Sequence, residues 1–488
     1  AAGVALLALT VRAISLEYVE MGGDSLWIWE NVVHQVNSGT ALVWNHHTLR
    51  WAINFPLYLI LKSFGTTPIN YYILPILYSV ISAVLAFFLG KILKDRQFGF
   101  MSALLLILYP KMTTMGSQLW PGLYEMTYLL GCVLAVFCWR KYGGWYLLAI
   151  SGLLAGCVWG ARVTSLFYAP GIFALIYMGK RKFTPLFIFS TFFFLVIAVE
   201  WLYFQNLTGN SLGRLGIITQ THVAKDEHLI SVSQYLLNFL SLVKLRGLLP
   251  VILAGVGTGC WLVRRGNDEE KGIAILFLSG LFFSVYMISS FAPLKLATPF
   301  GSRNITAGTP YLIMVLLLGL RKWQESSQRV SKVFKYGLII AFTVFTLKGV
   351  SAQNSFFRLQ EDIQNARIIT DNNIPVLMRY SAWVPNFIEE RGMKLIGYEK
   401  KSRLKINEDV KMSKNARRVG TILFGHKGSD DYKPESIDGY YYFYSGDHES
   451  LAGAQSIGIS EFSRKGHSLT IVPREMLPQN IFKEGSAK

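Results

Sequence analysis

Charge is what this sequence has least of, and acids are scarcer than bases. Of 488 residues only 16% are Asp, Glu, Lys or Arg, while 52% are hydrophobic. Mean hydropathy is +0.35. Soluble domains run at roughly a quarter charged, so the deficit excludes an ordinary water-soluble globule. Cysteine is also sparse. Cys132, Cys138, Cys157 and Cys260 lie in or beside apolar stretches, and none has metal-ligand spacing. That reads as buried membrane thiols rather than a metal site. An internal repeat is missing too, which weighs against an inverted-repeat transporter.

What the chain does have is apolar runs. Segments such as Tyr71–Leu93, Phe183–Phe204 and Tyr311–Leu320 with its flanks approach the roughly 20 residues that cross a bilayer. The net charge of +18 would suit nucleic acid, but its lysines and arginines fall in short clusters between these runs. The clusters are Lys91/Lys94/Arg96, Arg140/Lys141, Lys180/Arg181/Lys182, Arg264/Arg265 with Lys271, and Arg321 through Lys335. Such spacing encodes topology rather than a phosphate-binding face. Two spans fit between each consecutive pair: 97–116 and 119–138, 145–160 and 164–179, 183–205 and 247–263, 272–291 and 306–320. With 69–90, 336–350 and the stretch Ala1–Leu16, read as a first span whose beginning is missing, the expectation is about eleven transmembrane helices. Every basic cluster then faces the cytoplasm.

The other, non-cytoplasmic face receives a first loop at 17–67, a short one near Pro110–Pro121, a turn at Gly160–Val163, a loop at 206–246, one at Ala292–Asn304, and the tail. The tail, 351–488, is polar, with short β-like runs at Val419–Phe424, Tyr440–Tyr444 and Ser468–Val472 and an amphipathic segment at Trp383–Glu390. The fold class expected is therefore mainly α: a polytopic membrane domain over 1–350, followed by an extracytoplasmic soluble α/β domain over 351–488.

Candidate chemistry collects on the outer face. The first loop opens with Glu17-Tyr-Val-Glu-Met-Gly-Gly-Asp24-Ser-Leu-Trp and continues through Trp44-Asn-His46-His47-Thr-Leu-Arg50 to Asn54-Phe-Pro56-Leu-Tyr58. Its length and aromatic content suggest helices lying on the membrane surface. Asp24 is either a helix cap or a reactive acid. Glu125 begins a span on the outer side, where an ionisable group is a functional candidate or a complement to the helix dipole. Asp226-Glu227-His228 reads as a solvated turn. His46 and His47 have no acid or cysteine at ligand spacing, so no cofactor is indicated, and a divalent metal stays an open alternative without a ligand set. Asn206-Leu-Thr208 and Asn304-Ile-Thr306 match the glycosylation sequon.

Taken in order, these features resemble the C-type (GT-C) polytopic glycosyltransferase superfamily, which includes protein O-mannosyltransferases and lipid A aminoarabinose transferases. The resemblance spans roughly residues 1–350. It rests on Gly23-Asp24-Ser25 after the first helix, Phe55-Pro56-Leu57-Tyr58 through Phe64-Gly65, Arg162-Val-Thr164 opening a helix, and Arg303 ahead of Pro310-Tyr311. Many relatives carry Asp-Glu where this chain has Asp24-Ser25. The resemblance implies transfer of a monosaccharide from a polyprenyl-phosphate donor to a glycan, lipid or protein acceptor at the outer face of the bilayer. Such chemistry needs a base for the acceptor's proton and cations for the departing phosphate. Asp24 is the candidate base and Glu125 a second catalytic acid. Arg303, Lys295 and Arg50 are candidate phosphate ligands, and His46, His47, Arg162 and Tyr58 are candidates for the acceptor cleft. The alternatives are a lipid-linked substrate transporter or flippase, and a non-catalytic membrane subunit on the same scaffold.

Overall fold

The computed structural model describes residues 1–16, 24–41, 46–109, 111–112, 116–222, 239, 248–286, 288–291, 294–296, 302–326, 336–337, 340 and 343–344, with short strands beyond. The chain divides into two compact units, one of residues 1–16 and 27–350, the other of 17–26 and 351–488.

The first unit is helical. Its elements are α1 (Ala2–Ile14), α2 (Asp24–Ser38, whose first residues belong to the second unit), α3 (Trp51–Phe64), α4 (Ile73–Leu93), α5 (Arg96–Ile107), α6 (Pro121–Tyr142) and α7 (Trp145–Ala161). They continue with α8 (Ala169–Lys180), α9 (Thr184–Thr208), α10 (Arg214–His222), α11 (Leu249–Arg265), α12 (Asp268–Val285) and α13 (Thr309–Ser326). Among the described residues, four helices are long and apolar enough to cross a membrane: Asn70–Leu93, Pro121–Tyr142, Thr184–Thr208 and Ile305–Trp323. The chain is an integral membrane protein on this ground. The other expected segments up to residue 320 also contain helices, but shorter ones, and most of 336–350 lies outside the described residues.

Two expected spans end early. The segment 97–116 forms a helix only to Ile107, about 18 Å long at the usual rise, because Pro110 lacks an N–H and biases Tyr109 away from helix. The segment 272–291 is helical only to Val285, and its remainder, Ile288–Phe291, pairs antiparallel with Leu294–Leu296 as a hairpin. Of the four thiols, Cys132 is buried and Cys260 is exposed on α11, so the expectation of buried thiols fails at Cys260.

Neighbouring helices pack through small residues and paired polar side chains, as helices in lipid must. A side chain on Gly99 would collide with the α4 backbone at Phe87 and Lys91, so α4 and α5 touch main chain to main chain. Ser82 and Thr127 share a 2.6 Å hydrogen bond between α4 and α6, and Ser151 of α7 donates to the Cys132 carbonyl at 3.0 Å.

The basic clusters meet at one end of the bundle. Glu270, buried at the start of α12, takes Lys94 at 2.7 Å and Lys322 at 2.7 Å. It also closes a capping box with Asn267, in which each residue's backbone N–H donates to the other's side chain at 2.9 Å. Arg321 pairs with Asp95, the cap of α5. The Phe98 backbone N–H, and next Arg321, hold the Asp95 carboxyl below its usual range. Lys180 lies over the Trp139 ring, 5.4 Å from its centroid, and Arg140 lies near Asp268 and Glu269.

Within 351–488 the described residues are strands. Arg418–Gly420, Tyr441–Ser445, Thr470–Pro473 and Gln455–Ser456 form a four-stranded antiparallel sheet in that order, and two further strand pairs join 393–395 to 424–426 and 404–406 to 482–484. The helix expected at Trp383–Glu390 lies outside the described residues.

If the clustered cations mark the cytoplasmic end, a cysteine introduced at Lys182 (Lys182→Cys) should resist a membrane-impermeant maleimide in intact cells and react after permeabilisation. Reaction without permeabilisation would invert the topology.

Candidate functional site

The opposite end of the bundle is built by helix starts and stops. Arg50 stands immediately before α3, after a turn that carries His46 and His47, whose rings lie tilted at 43° with centroids 3.6 Å apart. Asn54 fastens this turn back onto α3, its amide donating to the Thr48 carbonyl at 2.6 Å and the His47 carbonyl at 3.4 Å. Pro56 inside α3 cannot donate to the Ala52 carbonyl, and the Tyr128 hydroxyl of α6 fills that vacancy at 2.9 Å. The proline thereby fixes α3 to α6, with Arg50 at the joint.

Glu125 occupies the second turn of α6 and is 3% exposed. A carboxylate taken so far from water needs a cation. Arg162, which follows the last residue of α7, supplies one at 3.5 Å. Arg50, 9% exposed, is close enough to act electrostatically on Glu125 as well, and so is Glu125 on the buried Tyr168. Tyr168 packs against Gly308, where an added Cβ would lie 3.0 Å from the hydroxyl. Gly308 closes the 3₁₀ turn Ser302–Gly308, so the backbone segment bearing Arg303 ends beside this group.

Three expected residues thus converge, namely Arg50, Glu125 and Arg162, with His46 and His47 in the turn leading to Arg50. Lys295 lies on the second hairpin strand opposite Ser290, and Arg303 on the 3₁₀ turn. Asp24 is the first residue of α2 and falls in the second unit. Tyr58 lies on α3 with Lys62 Nζ over its ring, 5.5 Å from the centroid, one turn along. Among the described residues, no set of three or more His, Cys, Asp or Glu could hold a metal ion.

A second ion pair was not anticipated from the sequence. Glu200 lies inside α9, about 12 Å from its end, and pairs with Arg214 of α10 at 3.2 Å. Arg214 is 2% exposed. Burial pulls its guanidinium below the ordinary range, Glu200 counters this, and nearby Arg50 adds to the lowering. Glu200 was not among the candidates that the sequence placed on the outer face. Its signal was a lone acid within the apolar run Phe192–Tyr203.

No family model matches the chain, and no curated protein matches it. Solved structures do. The apo form of ArnT from Cupriavidus metallidurans shares 12% identity with the chain at a TM-score of 0.51, over 76% of this chain and 72% of that one. ArnT bound to undecaprenyl phosphate superposes at 0.48 over the same shares. The oligosaccharyltransferase of Archaeoglobus fulgidus, in complex with Zn and sulfate, gives 11% identity and 0.44, and this chain spans only 55% of its length. The likeness to ArnT is one of fold: over the shared region the chain has an ArnT-like architecture. The resemblance drawn from the outer-loop motifs holds at that level.

Replacing Arg162 by Met should leave the buried Glu125 carboxylate short of its partner and destabilise the protein by about 3 kcal/mol, as for other broken buried pairs. Adding Glu125→Gln should restore part of that loss, the sign of a coupled pair. Thermal unfolding in lipid nanodiscs measures both, and an Arg162→Met protein as stable as wild type would contradict the pairing.

Proposed function

We propose that the chain is a membrane glycosyltransferase that moves a monosaccharide from a polyprenyl-phosphate donor to a glycan, lipid or protein acceptor on the extracytoplasmic face. In this reading residues 1–350 are the membrane domain and 351–488 an extracytoplasmic soluble domain. The observation that carries the proposal is the gathering of Arg50, Arg162 and Glu125 at one end of a bundle with the ArnT-like fold. The end holding the basic clusters is the opposite one, so the site faces outward under the positive-inside rule.

The chemistry follows from what must change charge. An acceptor hydroxyl attacks the anomeric carbon, the bond from that carbon to the phosphate oxygen breaks, and the polyprenyl phosphate leaves with the electron pair. Guanidinium groups suit the leaving phosphate because they donate in a planar fork. Arg50 and Arg303, with Lys295, take this role. The acceptor's proton goes to Asp24, which follows Gly22 and Gly23 and so lies in a stretch a substrate can approach closely. Glu125, engaged with Arg162, holds the cations in place and is the second acid of the site. A flippase would move charge along the membrane interior, whereas Arg50 and Arg162 stand where α3 begins and α7 ends.

Asp24 opens a helix, a position where Asn caps about as well as Asp. Asp24→Asn should therefore keep the fold and the donor affinity while transfer falls by roughly 10²–10⁴-fold, the usual share of a general base. The assay is turnover of a defined polyprenyl-phosphate sugar by purified protein. Near-normal turnover would remove Asp24 from the reaction and make Glu125 the acid to test.

A further inference from the structure

The two arginine-bearing segments beside Glu125 share an anchor that does not belong to the Glu125 group. The Glu200 carboxylate accepts from the Trp51 indole, from the Trp159 indole at 3.0 Å, and from Arg214 at 3.2 and 3.3 Å to its two oxygens. Trp51 adjoins Arg50, and Trp159 precedes Arg162 by three residues. The Trp51 indole also covers Gly160, where any side chain would run into it. Arg214 donates to the Trp159 carbonyl at 3.1 Å and lays its guanidinium over the Trp159 ring, 5.9 Å from the centroid. On the far side of the turn, Trp201 donates to the Ser211 carbonyl at 3.0 Å, so the first residues of the outer loop after α9 are tied to the same place.

We propose that Glu200 is a positioning residue: through Trp51 and Trp159 it sets where Arg50 and Arg162 stand, and through Arg214 it holds the start of the outer loop, 209–222, against them. The clamp needs no assumption about substrate. That it matters to a phosphate rests on the function proposed above.

The chemistry of the carboxylate makes the assignment specific. Its two oxygens offer about four lone-pair sites, which three donors fill. A glutamine offers one oxygen, and its amide hydrogens face the guanidinium, so at least one donor must let go. Charge alone predicts the opposite functional outcome. With Glu200 present, Arg50, Arg162 and Arg214 outnumber Glu125 and Glu200 by one positive charge. Neutralising Glu200 raises that excess and by itself strengthens the hold on an anion. A positioning role weakens it.

The test uses the full chain in nanodiscs, with Glu200→Gln and with the double variant Glu200→Gln/Arg214→Met. The double variant carries no unpaired buried cation and restores the wild-type charge balance, so it separates position from both charge and misfolding. Two quantities are read: amide hydrogen exchange over 47–54 and 209–222, and the affinity for undecaprenyl phosphate. Exchange in both segments should rise in both variants. Affinity should fall about tenfold, the scale of losing one charge-assisted hydrogen bond, with the melting temperature of the double variant close to wild type. Unchanged exchange over 47–54, or tighter binding by Glu200→Gln, would overturn the proposal. If wild-type protein fails to bind undecaprenyl phosphate, the glycosyltransferase reading falls, and the exchange data alone decide the clamp.

Discussion

A charge surrounded by apolar helices must be neutralised by a partner brought from elsewhere in the chain, and that requirement organises this protein at both ends. At one end Glu270 takes Lys94 and Lys322, tying α12 to the α4–α5 corner and to α13. At the other, Glu125 takes Arg162, and Glu200 takes Arg214 with two indoles. Arg12 of α1 obeys the same rule by donating to the carbonyls of Ile107 and Met112, where α5 ends; a cation at a helix C-terminus is favoured by its dipole. Hydrophobic burial neither drives apolar helices together in lipid nor fixes their register, because lipid is as apolar as they are. The ion pairs supply the register.

Those pairs also explain how far a sequence reading reaches. Spans with sharp ends were legible because composition and basic clusters define them: Pro121–Tyr142 and Thr184–Thr208 fall close to the expected segments 119–138 and 183–205. The single end shared by the basic clusters was legible for the same reason. Helix ends inside apolar runs were not. Pro110 cut the segment 97–116 short, and a hairpin claimed the last residues of 272–291, since neither a local break nor a strand pairing alters hydropathy. Of the roughly eleven helices expected, four are long and apolar enough to cross a membrane among the described residues.

At the site, residue type and loop position picked out Arg50, Glu125 and Arg162, which do converge. They gave no warning that Tyr58 turns toward Lys62. A 14-residue helix such as α3 presents several faces, and only packing selects which one meets the site. Glu200 was overlooked for a different reason: a lone acid in an aromatic-rich span looks like an isolated irregularity until Arg214, fourteen residues on, is seen to fold back onto it. Long-range pairs of this kind leave no spacing in the sequence, yet they decide where the arginines stand.

The same end of the bundle thus combines three arginines, two buried carboxylates paired with two of them, and the loop after α9 fastened alongside, an arrangement that suits the leaving phosphate of the proposed reaction. A structure of the full chain in nanodiscs with undecaprenyl phosphate would test this most directly. The account predicts the phosphate within hydrogen-bond reach of Arg50 or Arg303. A phosphate seated instead among Lys94, Lys180 and Lys322 at the other end, or a lipid that leaves both arginines untouched, would contradict it.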